Sequence, residues 1–280
     1  MREYDDLFAY SALPSFARWR AAGLGAALAA RASALAGNLG VLGQPLLYYL
    51  APFALYGIWL LRRRRQFWPA LAYLAALYLA MSLVFPFQGV RGGFFHSLAA
   101  ALPFLAIWTI GGVEGAVAAA ARRRRWIEPQ AQRVFAAALL AFSVLSSVYF
   151  LGLQAGRWDA RLDAYRQVGH LLDARTPADA RVLAVDPPGL WYASGRETIV
   201  IPSDGFDALL AAAQTFDARN LIVEASGPTY LAPLWVGTEP VAGFTCLGTT
   251  DLMAVYAVDP SRLRPPSLCP PVPGRARPSG

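Results

Sequence analysis

Two ionisable side chains lie in the connection between two strongly apolar runs of the sequence. The stretch FPFQGVRGGFFHSLAA, residues 85–100, carries Arg91 and His96, although a purely apolar hairpin needs neither. A guanidinium presents a planar set of N–H donors that matches phosphate oxygens, and an imidazole can add a donor or carry a proton. Glycines at positions 89, 92 and 93 let the backbone turn tightly and approach a ligand closely. This combination favours two interpretations equally: a phosphate-binding connection, or an Arg91 side chain that only extends to a polar surface beside a His96 that caps or packs its helix.

The composition indicates what kind of element carries this connection. Of the 280 residues, 56% are hydrophobic and only 15% are charged, whereas about a quarter of an ordinary soluble domain is charged. The net charge of +7 comes largely from two arginine runs, at residues 62–65 and 122–125. Because this basic excess lies in the apolar half of the chain, the charge predicts a membrane protein and no nucleic-acid partner.

Four uncharged runs are long enough for the roughly 20 apolar residues that cross a hydrocarbon core. Tryptophans lie near the ends of these runs. At the membrane–water interface an indole ring is favoured, because its N–H edge contacts water while its apolar face contacts lipid. The alternative, four buried helices of a large soluble protein, would leave two blocks of four guanidiniums without acidic partners. The predicted spans are therefore Val41–Leu61, Phe67–Phe87, Phe94–Gly112 and Val134–Leu153.

The arginine runs also predict the orientation of the spans. Short Arg-rich loops are retained on the cytoplasmic side during insertion, so both runs are expected there. The connection that carries Arg91, residues 1–37 and everything after about Leu153 are then expected outside the cytoplasm. Within residues 1–37, an apolar stretch interrupted by three arginines predicts a helix lying in the membrane interface. Residues 38–155 form the predicted four-helix transmembrane region of a multi-pass protein of the cell membrane.

Residues 156–259 predict a small extracytoplasmic α/β domain. A helical pattern over residues 161–175 precedes four short β-rich runs, and a second helical pattern separates the middle two. Alternating strands and helices favour a largely parallel sheet. Asp186 follows the first strand, where α/β folds often bind ligands, although a turn-forming aspartate before prolines is the simpler interpretation. His170 is interpreted as a helix-surface residue.

The C-terminal residues 260–280 are rich in proline and are predicted to be a disordered tail. The chain has two cysteines, Cys246 and Cys269. The expected extracytoplasmic location permits a disulfide between them. Two free thiols are the alternative, because pairing needs a geometry that sequence does not show.

Several stretches together resemble the C-terminal half of bacterial membrane glycosyltransferases of the GT-C type, similar to glycosyltransferase family 39 and the RgtA-like group. These stretches are REYDDLFAY, FPFQGVRGGFFHSLAAALPF and the long segment from Tyr165 to Pro202. The resemblance implies transfer of a sugar from a polyprenyl phosphate carrier to an extracytoplasmic acceptor. It also implies that Arg91 holds the carrier phosphate and that His96 assists it.

The resemblance has one gap. In these families the catalytic acid lies in an extracytoplasmic loop after the first helix, upstream of anything that this chain matches. The chain is therefore expected to be a C-terminal fragment, inactive alone, whose N-terminal half is a missing partner. Glu3, Asp5 and Asp6 are candidate carboxylates for an active cleft or for a divalent metal of the full-length enzyme, while an exposed acidic turn is the simpler alternative. No cofactor is predicted for this chain itself.

A non-enzymatic role is the competing interpretation. The spans would then anchor the α/β domain, which would bind a partner or act as an assembly subunit. Arg91 would extend its charged end to the lipid headgroups, and His96 would cap or pack its helix.

Overall fold

The computed structural model describes residues 7–11, 15–86 and 93–270. The chain divides into two compact units. The described part of the first unit covers residues 15–86 and 93–151, and that of the second covers residues 7–11 and 152–270. The first unit is helical, and the second combines a five-stranded sheet with helices.

The first unit is built from apolar helices. A short helix α1 (Phe16–Ala21) precedes α2 (Gly23–Gly43) and α3 (Ala51–Leu61). Helix α4 (Trp68–Leu79) continues into a π-helical turn, Ala80–Val84. Helix α5 (Gly93–Leu98) leads through a 3₁₀ turn into α6 (Leu102–Arg124), and α7 follows as Glu128–Arg175.

The number of predicted spans agrees with the structure, but their positions agree only in part. Four helical segments are long and apolar enough to cross a membrane: Gly23–Leu46, Arg65–Val84, Phe94–Arg124 and Glu128–Arg175. The predicted first span, Val41–Leu61, is wrong as a single helix. Leu47 and Tyr48 have φ values of 47° and 58° and interrupt it after Pro45. The remaining helix α3 has 11 residues, about 16 Å, which is too short to cross a hydrocarbon core.

The segment predicted to lie in the membrane interface includes most of α2, which is part of the candidate span Gly23–Leu46. The short helix α1 is separate from α2 because Gly23 has a φ of 82°. Helix α2 then runs for 21 residues with Arg31 inside it, and the Arg31 guanidinium donates to the Ala27 carbonyl one turn earlier. The extracytoplasmic position predicted for residues 1–37 stays a prediction.

Helices α3 and α6 pack through a pair of glycines. A Cβ on Gly57 would overlap the Trp108 carbonyl, and a Cβ on Gly112 would overlap the Phe53 carbonyl. Small residues allow this close backbone approach, which is a main source of attraction between helices in lipid. Residues before and at the start of α3 lie near the start of α6, since Leu50 and Leu102 line one cavity, whereas Leu60 near the end of α3 lies beside Gly115 farther along α6. The two helices therefore run in the same direction, and each ends in an arginine run.

Polar side chains within this unit are bonded to neighbouring helices. The buried Asn38 amide donates to the Ser82 hydroxyl at 3.1 Å and to the Met81 carbonyl at 3.2 Å. The Tyr78 hydroxyl donates to the Leu35 carbonyl at 2.9 Å. These bonds connect α2 to the end of α4, where the π-helical turn frees backbone carbonyls for other donors.

The second unit contains a mixed sheet. Its strands are β1 (Arg181–Ala184), β2 (Thr198–Val200), β3 (Ala218–Glu224), β4 (Phe244–Thr249) and β5 (Met253–Val258), in the order β2-β1-β3-β5-β4. The first three are parallel, whereas β5 is antiparallel to β3 and β4. The predicted, largely parallel sheet is thus only half right. A short turn joins β4 to β5, and such a connection makes an antiparallel hairpin.

Helices cover this sheet and supply its buried faces. Helix α8 (Pro187–Ser194) follows β1, α9 (Phe206–Thr215) follows β2, and the short α10 (Ala232–Val236) follows β3. One core cluster lies on each face of the sheet, around Leu221 on one side and Ile222 on the other. The second cluster includes α7 residues, so the predicted helix over residues 161–175 is confirmed as the last part of α7.

The predicted tail disorder is wrong for residues 260–270. Cys269 is 2% exposed and forms a disulfide with Cys246 of β4, which decides between the two cysteine alternatives. The Ser267 amide donates to the Phe244 carbonyl at 3.1 Å, and the Cys246 amide donates to the Ser267 hydroxyl at 2.9 Å. These bonds hold a proline-rich segment that has no regular structure of its own. Residues 271–280 lie outside the described residues.

The α3–α6 contact gives a direct test of the packing. We expect Gly57→Ala to destabilise the helical unit by about 1–3 kcal/mol, because the added methyl group overpacks a backbone contact. Gly40→Ala is the matched control, since a Cβ at Gly40 meets nothing within 4 Å. Unfolding in mixed micelles of rising SDS fraction measures both. Equal transition midpoints for the two variants would contradict the assignment of Gly57 to the helix contact.

Candidate functional site

Most of the site residues predicted from sequence lie outside the described residues. These are Glu3, Asp5, Asp6 and Arg91. His96 is described and lies on α5, where its side chain is exposed. Phe94 and Leu98 of the same helix are 0% and 1% exposed and form its buried face. His96 is therefore not a packed core residue.

The structure describes both ends of the connection that carries Arg91. The Tyr73 hydroxyl of α4 donates to the Ser97 carbonyl at 2.8 Å, and the rings of Tyr78 and Phe94 meet edge-on at 6.1 Å. The end of α4 and the start of α5 thus pack together as a hairpin. This packing fixes the two ends of residues 87–92 close to one another.

A second group of ionisable residues lies in the α/β unit, at the carboxyl ends of β1 and β3. The chain leaves β1 toward β2 on one side, and β3 lies on the other side of β1. The strand order therefore reverses between β1 and β3. In open α/β sheets, ligands bind outside the carboxyl ends of the strands at such a reversal.

Three elements bring polar side chains to this position. Glu224 is the last residue of β3, and Asp186 lies two residues after β1. The Arg161 guanidinium of α7 donates to Glu224 Oε1 at 2.8 Å and lies 3.9 Å from Asp186 Oδ2. It also donates to the Tyr165 hydroxyl at 3.0 Å, one helical turn along α7. These four residues are called the sheet-end cluster below.

Burial determines the electrostatics of the cluster. The Glu224 side chain is 8% exposed, whereas those of Arg161 and Asp186 are 39% and 41% exposed. Loss of hydration raises the pKa of Glu224 above its ordinary value, and the positive charge of Arg161 opposes that rise. Arg161 thus neutralises a buried carboxylate from the side that faces water.

Asp186 has a structural role as well. It is the N-cap of α8, and its carboxylate accepts from the Gly189 amide at 3.1 Å. This matches the simpler interpretation of Asp186 as a turn-forming aspartate before prolines. Its second oxygen points toward Arg161, so the same side chain both caps a helix and faces the cluster.

The cluster offers acceptors and donors, and the Ser226 side chain is also hydrogen-bonded to Glu224. The carboxylates of Asp186 and Glu224 accept, while Arg161 donates, and the Arg161 Nε is buried without a partner among the described residues. No group of three or more metal-ligating side chains occurs in residues 7–11, 15–86 and 93–270. The arrangement can hold a polar ligand that both donates and accepts hydrogen bonds, such as a hydroxylated one.

Sequence reasoning found Asp186 but missed its three neighbours. Arg161 and Tyr165 are four residues apart on one face of a helix, which is a readable signal. Glu224 ends an otherwise apolar strand, NLIVE, and a charged residue at that point is a second signal. Their proximity could not be read, because it depends on α7 packing against this face of the sheet.

The Arg161–Glu224 pair makes a measurable contribution to stability. We expect Arg161→Met to destabilise the α/β unit by about 2 kcal/mol at neutral pH. Removing one partner of a fully buried pair costs about 3–5 kcal/mol, and the part-exposure of Arg161 reduces this. The variant's folded state holds the proton of Glu224 more tightly than the unfolded state does, so its stability falls as pH rises and recovers at low pH. Hydrogen exchange of the β1 and β3 amides measures the effect.

Arg166→Met is the control, because Arg166 pairs with Asp163 on the exposed face of the same helix. Such surface pairs contribute about 0–1 kcal/mol. Equal protection of β3 in both variants at every pH would contradict the role given to Arg161.

In comparisons with known proteins, no family model matches the chain, and no curated protein or solved structure matches it either. The chain is accordingly assigned to no family here, and its resemblance to GT-C glycosyltransferases stays a prediction.

Proposed function

We propose that this chain is the membrane-embedded C-terminal part of a GT-C type glycosyltransferase that uses a polyprenyl phosphate sugar donor. In this proposal Arg91 holds the carrier phosphate and His96 assists it. The observation that carries the proposal is the length of the span between His96 and the second arginine run. The proposal also includes the topology in which both arginine runs are cytoplasmic and the α/β unit is extracytoplasmic.

The length of this span sets the depth of His96. Within the helical segment Phe94–Arg124, His96 and Arg122 are 26 residues apart, or about 39 Å at 1.5 Å per residue. A bilayer with its headgroups is about 40–45 Å thick. If Arg122–Arg125 lie at one face, His96 lies at the headgroup level of the other face. A carrier phosphate is found at that level, because its lipid tail stays in the hydrocarbon.

The direction of the helices supports a shared face for the two arginine runs. Helices α3 and α6 run in the same direction, and their last turns lead into residues 62–65 and 122–125. Two separate arginine runs at the same end of a helix pair are the pattern expected of a cytoplasmic face. The hairpin from α4 to α5 then belongs to the opposite face.

The chemistry of the hairpin suits a phosphate monoester or diester. Arg91 supplies a planar fork of donors, and the exposed His96 supplies a second donor about one turn into the following helix. The His96 side chain has no hydrogen-bond partner among the described residues. Its ring meets the Phe95 ring edge-on, with the centroids 5.7 Å apart. Its imidazole is thus open to a ligand, whereas a capping or packing histidine would be engaged or buried.

The sheet-end cluster favours a second candidate function, that of a membrane-anchored α/β binding module. Its specific support is the buried Arg161 Nε without a described partner, beside two carboxylates at the reversal of strand order. The two functions are separable by experiment. Loss of carrier binding in variants of the hairpin favours the transferase. Unchanged carrier binding in those variants, together with loss of partner binding in variants of the sheet-end cluster, favours the binding module.

We expect Arg91→Ala to weaken binding of undecaprenyl phosphate by about 10- to 100-fold. Hydrogen bonds to charged groups contribute about 1.5–3 kcal/mol each, and about 1.4 kcal/mol corresponds to tenfold in affinity. Arg91→Lys should lose part of the affinity, because it keeps the charge but not the planar fork. Binding to the purified chain in nanodiscs can be followed by tryptophan fluorescence.

Arg18→Ala is the control, since Arg18 is an exposed arginine in α1, outside the hairpin. We expect this variant to bind like the parent chain. Equal affinities for the Arg91→Ala variant and its parent, with both folded and inserted, would overturn the assignment of the carrier phosphate to Arg91.

A further inference from the structure

We propose that a cavity between α6 and the first half of α7 holds one phospholipid with an ammonium headgroup. The cavity, called the interhelical cavity below, has a volume of about 770 Å³. This inference is independent of the proposed transferase function, because none of the residues that line the cavity belongs to the α4–α5 hairpin. It concerns a lipid of the bilayer and not the sugar carrier.

The interhelical cavity is long and mostly apolar. Along α7 its lining runs from Pro129 to Ser143, which is about 21 Å of helix. Along α6 it runs from Leu102 to Val117. Leucine, isoleucine, valine and alanine side chains form most of its wall. An elongated apolar space of this kind fits an acyl chain and gives water few partners.

One end of the interhelical cavity is polar. Glu114 of α6 and Arg133 of α7 both line it, together with Gln132. Glu114 lies ten residues before Arg124, and Arg133 lies eight residues after Arg125. At 1.5 Å per helical residue, Glu114 is about 15 Å from Arg124 along α6, and Arg133 is about 8 Å from Glu128, the first residue of α7. A headgroup layer is roughly 5–8 Å thick. With the arginine run at the membrane surface, Arg133 then lies near the boundary between headgroups and hydrocarbon, and Glu114 lies deeper.

These two charged side chains have no partner in the described part of the protein. No ion pair within 4.0 Å joins Glu114 or Arg133 to each other or to another described residue. An ionisable residue within a spanning helix is costly unless a partner offsets its lost hydration. One acid and one base, both exposed and lining the same cavity, are matched by an occupant that carries both signs of charge.

The opposite end of the interhelical cavity lies at Ser143, which contacts the chain before α3. The Tyr49 hydroxyl donates to the Ser143 hydroxyl at 3.0 Å, and the rings of Tyr49 and Phe142 meet at 5.0 Å. These contacts join the chain before α3 to α7. The polar end therefore suits the headgroup of an occupant, and the apolar wall suits its acyl chain.

A zwitterionic phospholipid satisfies both ends of the cavity. Its phosphate is matched by the Arg133 guanidinium, its ammonium by the Glu114 carboxylate, and one acyl chain by the apolar wall. An anionic lipid such as phosphatidylglycerol has the same phosphate but no ammonium, so it would leave Glu114 without a partner. An uncharged lipid would leave both side chains without partners. The charge pattern thus selects phosphatidylethanolamine over phosphatidylglycerol.

The test uses the full chain, purified from vesicles that contain equal amounts of phosphatidylethanolamine and phosphatidylglycerol with identical acyl chains. Native mass spectrometry then counts the retained lipid. We expect the parent chain to retain phosphatidylethanolamine about tenfold over phosphatidylglycerol, since one charge-assisted contact is worth about that factor. Glu114→Gln should remove this preference, and Arg133→Gln should lower retention of both lipids. Arg123→Gln, which changes an arginine outside the cavity lining, should have neither effect.

A second pair of variants tests the cavity without changing charge. Ala136 lines the interhelical cavity and Ala137 does not, although both are exposed on α7. Ala136→Phe should expel the lipid about tenfold relative to Ala137→Phe. Equal retention of the two lipids by the parent chain would overturn the proposal. So would equal retention by these two phenylalanine variants, or a change of oligomeric state in Ala136→Phe with no change in lipid.

Discussion

The cost of placing charge in hydrocarbon is the constraint on which the helical unit depends. Guanidiniums are hard to move across a bilayer, and the two arginine runs end two helices that run in the same direction. The two helices approach closely at Gly57 and Gly112, where a side chain on either helix would overlap backbone. This packing holds the helices side by side, and the eight arginines of the two runs lie at one end of the pair. Glu114 and Arg133 are two further charges of this unit, and the proposed phospholipid would pair with both.

The α/β unit also contains a charge away from water, and there the charge is neutralised by a neighbouring side chain. Glu224 is buried at the end of a central strand, and the half-exposed Arg161 neutralises it from the water side. Asp186 caps α8 and faces the same guanidinium. The disulfide between Cys246 and Cys269 fastens a proline-rich segment to an edge of the same sheet. The ion pair, the helix cap and the disulfide each stabilise a part of the unit that has few apolar contacts of its own or that contains a buried charge.

The sequence predicted the elements better than their breaks and contacts. Apolar runs longer than 18 residues and alternating short strands have strong patterns, so spans and most strands were predictable. The break at Leu47 and Tyr48 was not, because nothing in their residue types favours a positive φ. The order of the segment before Pro270 was also missed, since it depends on a disulfide that composition does not reveal. The sheet-end cluster was not predicted either, because Arg161 and Glu224 are 63 residues apart in the sequence and meet only through packing.

The central claim is that the α4–α5 hairpin and the arginine runs lie on opposite faces of the membrane. Single substitutions His96→Cys and Arg123→Cys, labelled in intact cells with a membrane-impermeant maleimide, test this claim most directly. The native Cys246 and Cys269 do not react while they are joined in their disulfide. The account predicts that His96→Cys is labelled in intact cells and that Arg123→Cys is labelled only after permeabilisation. Labelling of Arg123→Cys in intact cells, with His96→Cys protected, would contradict it.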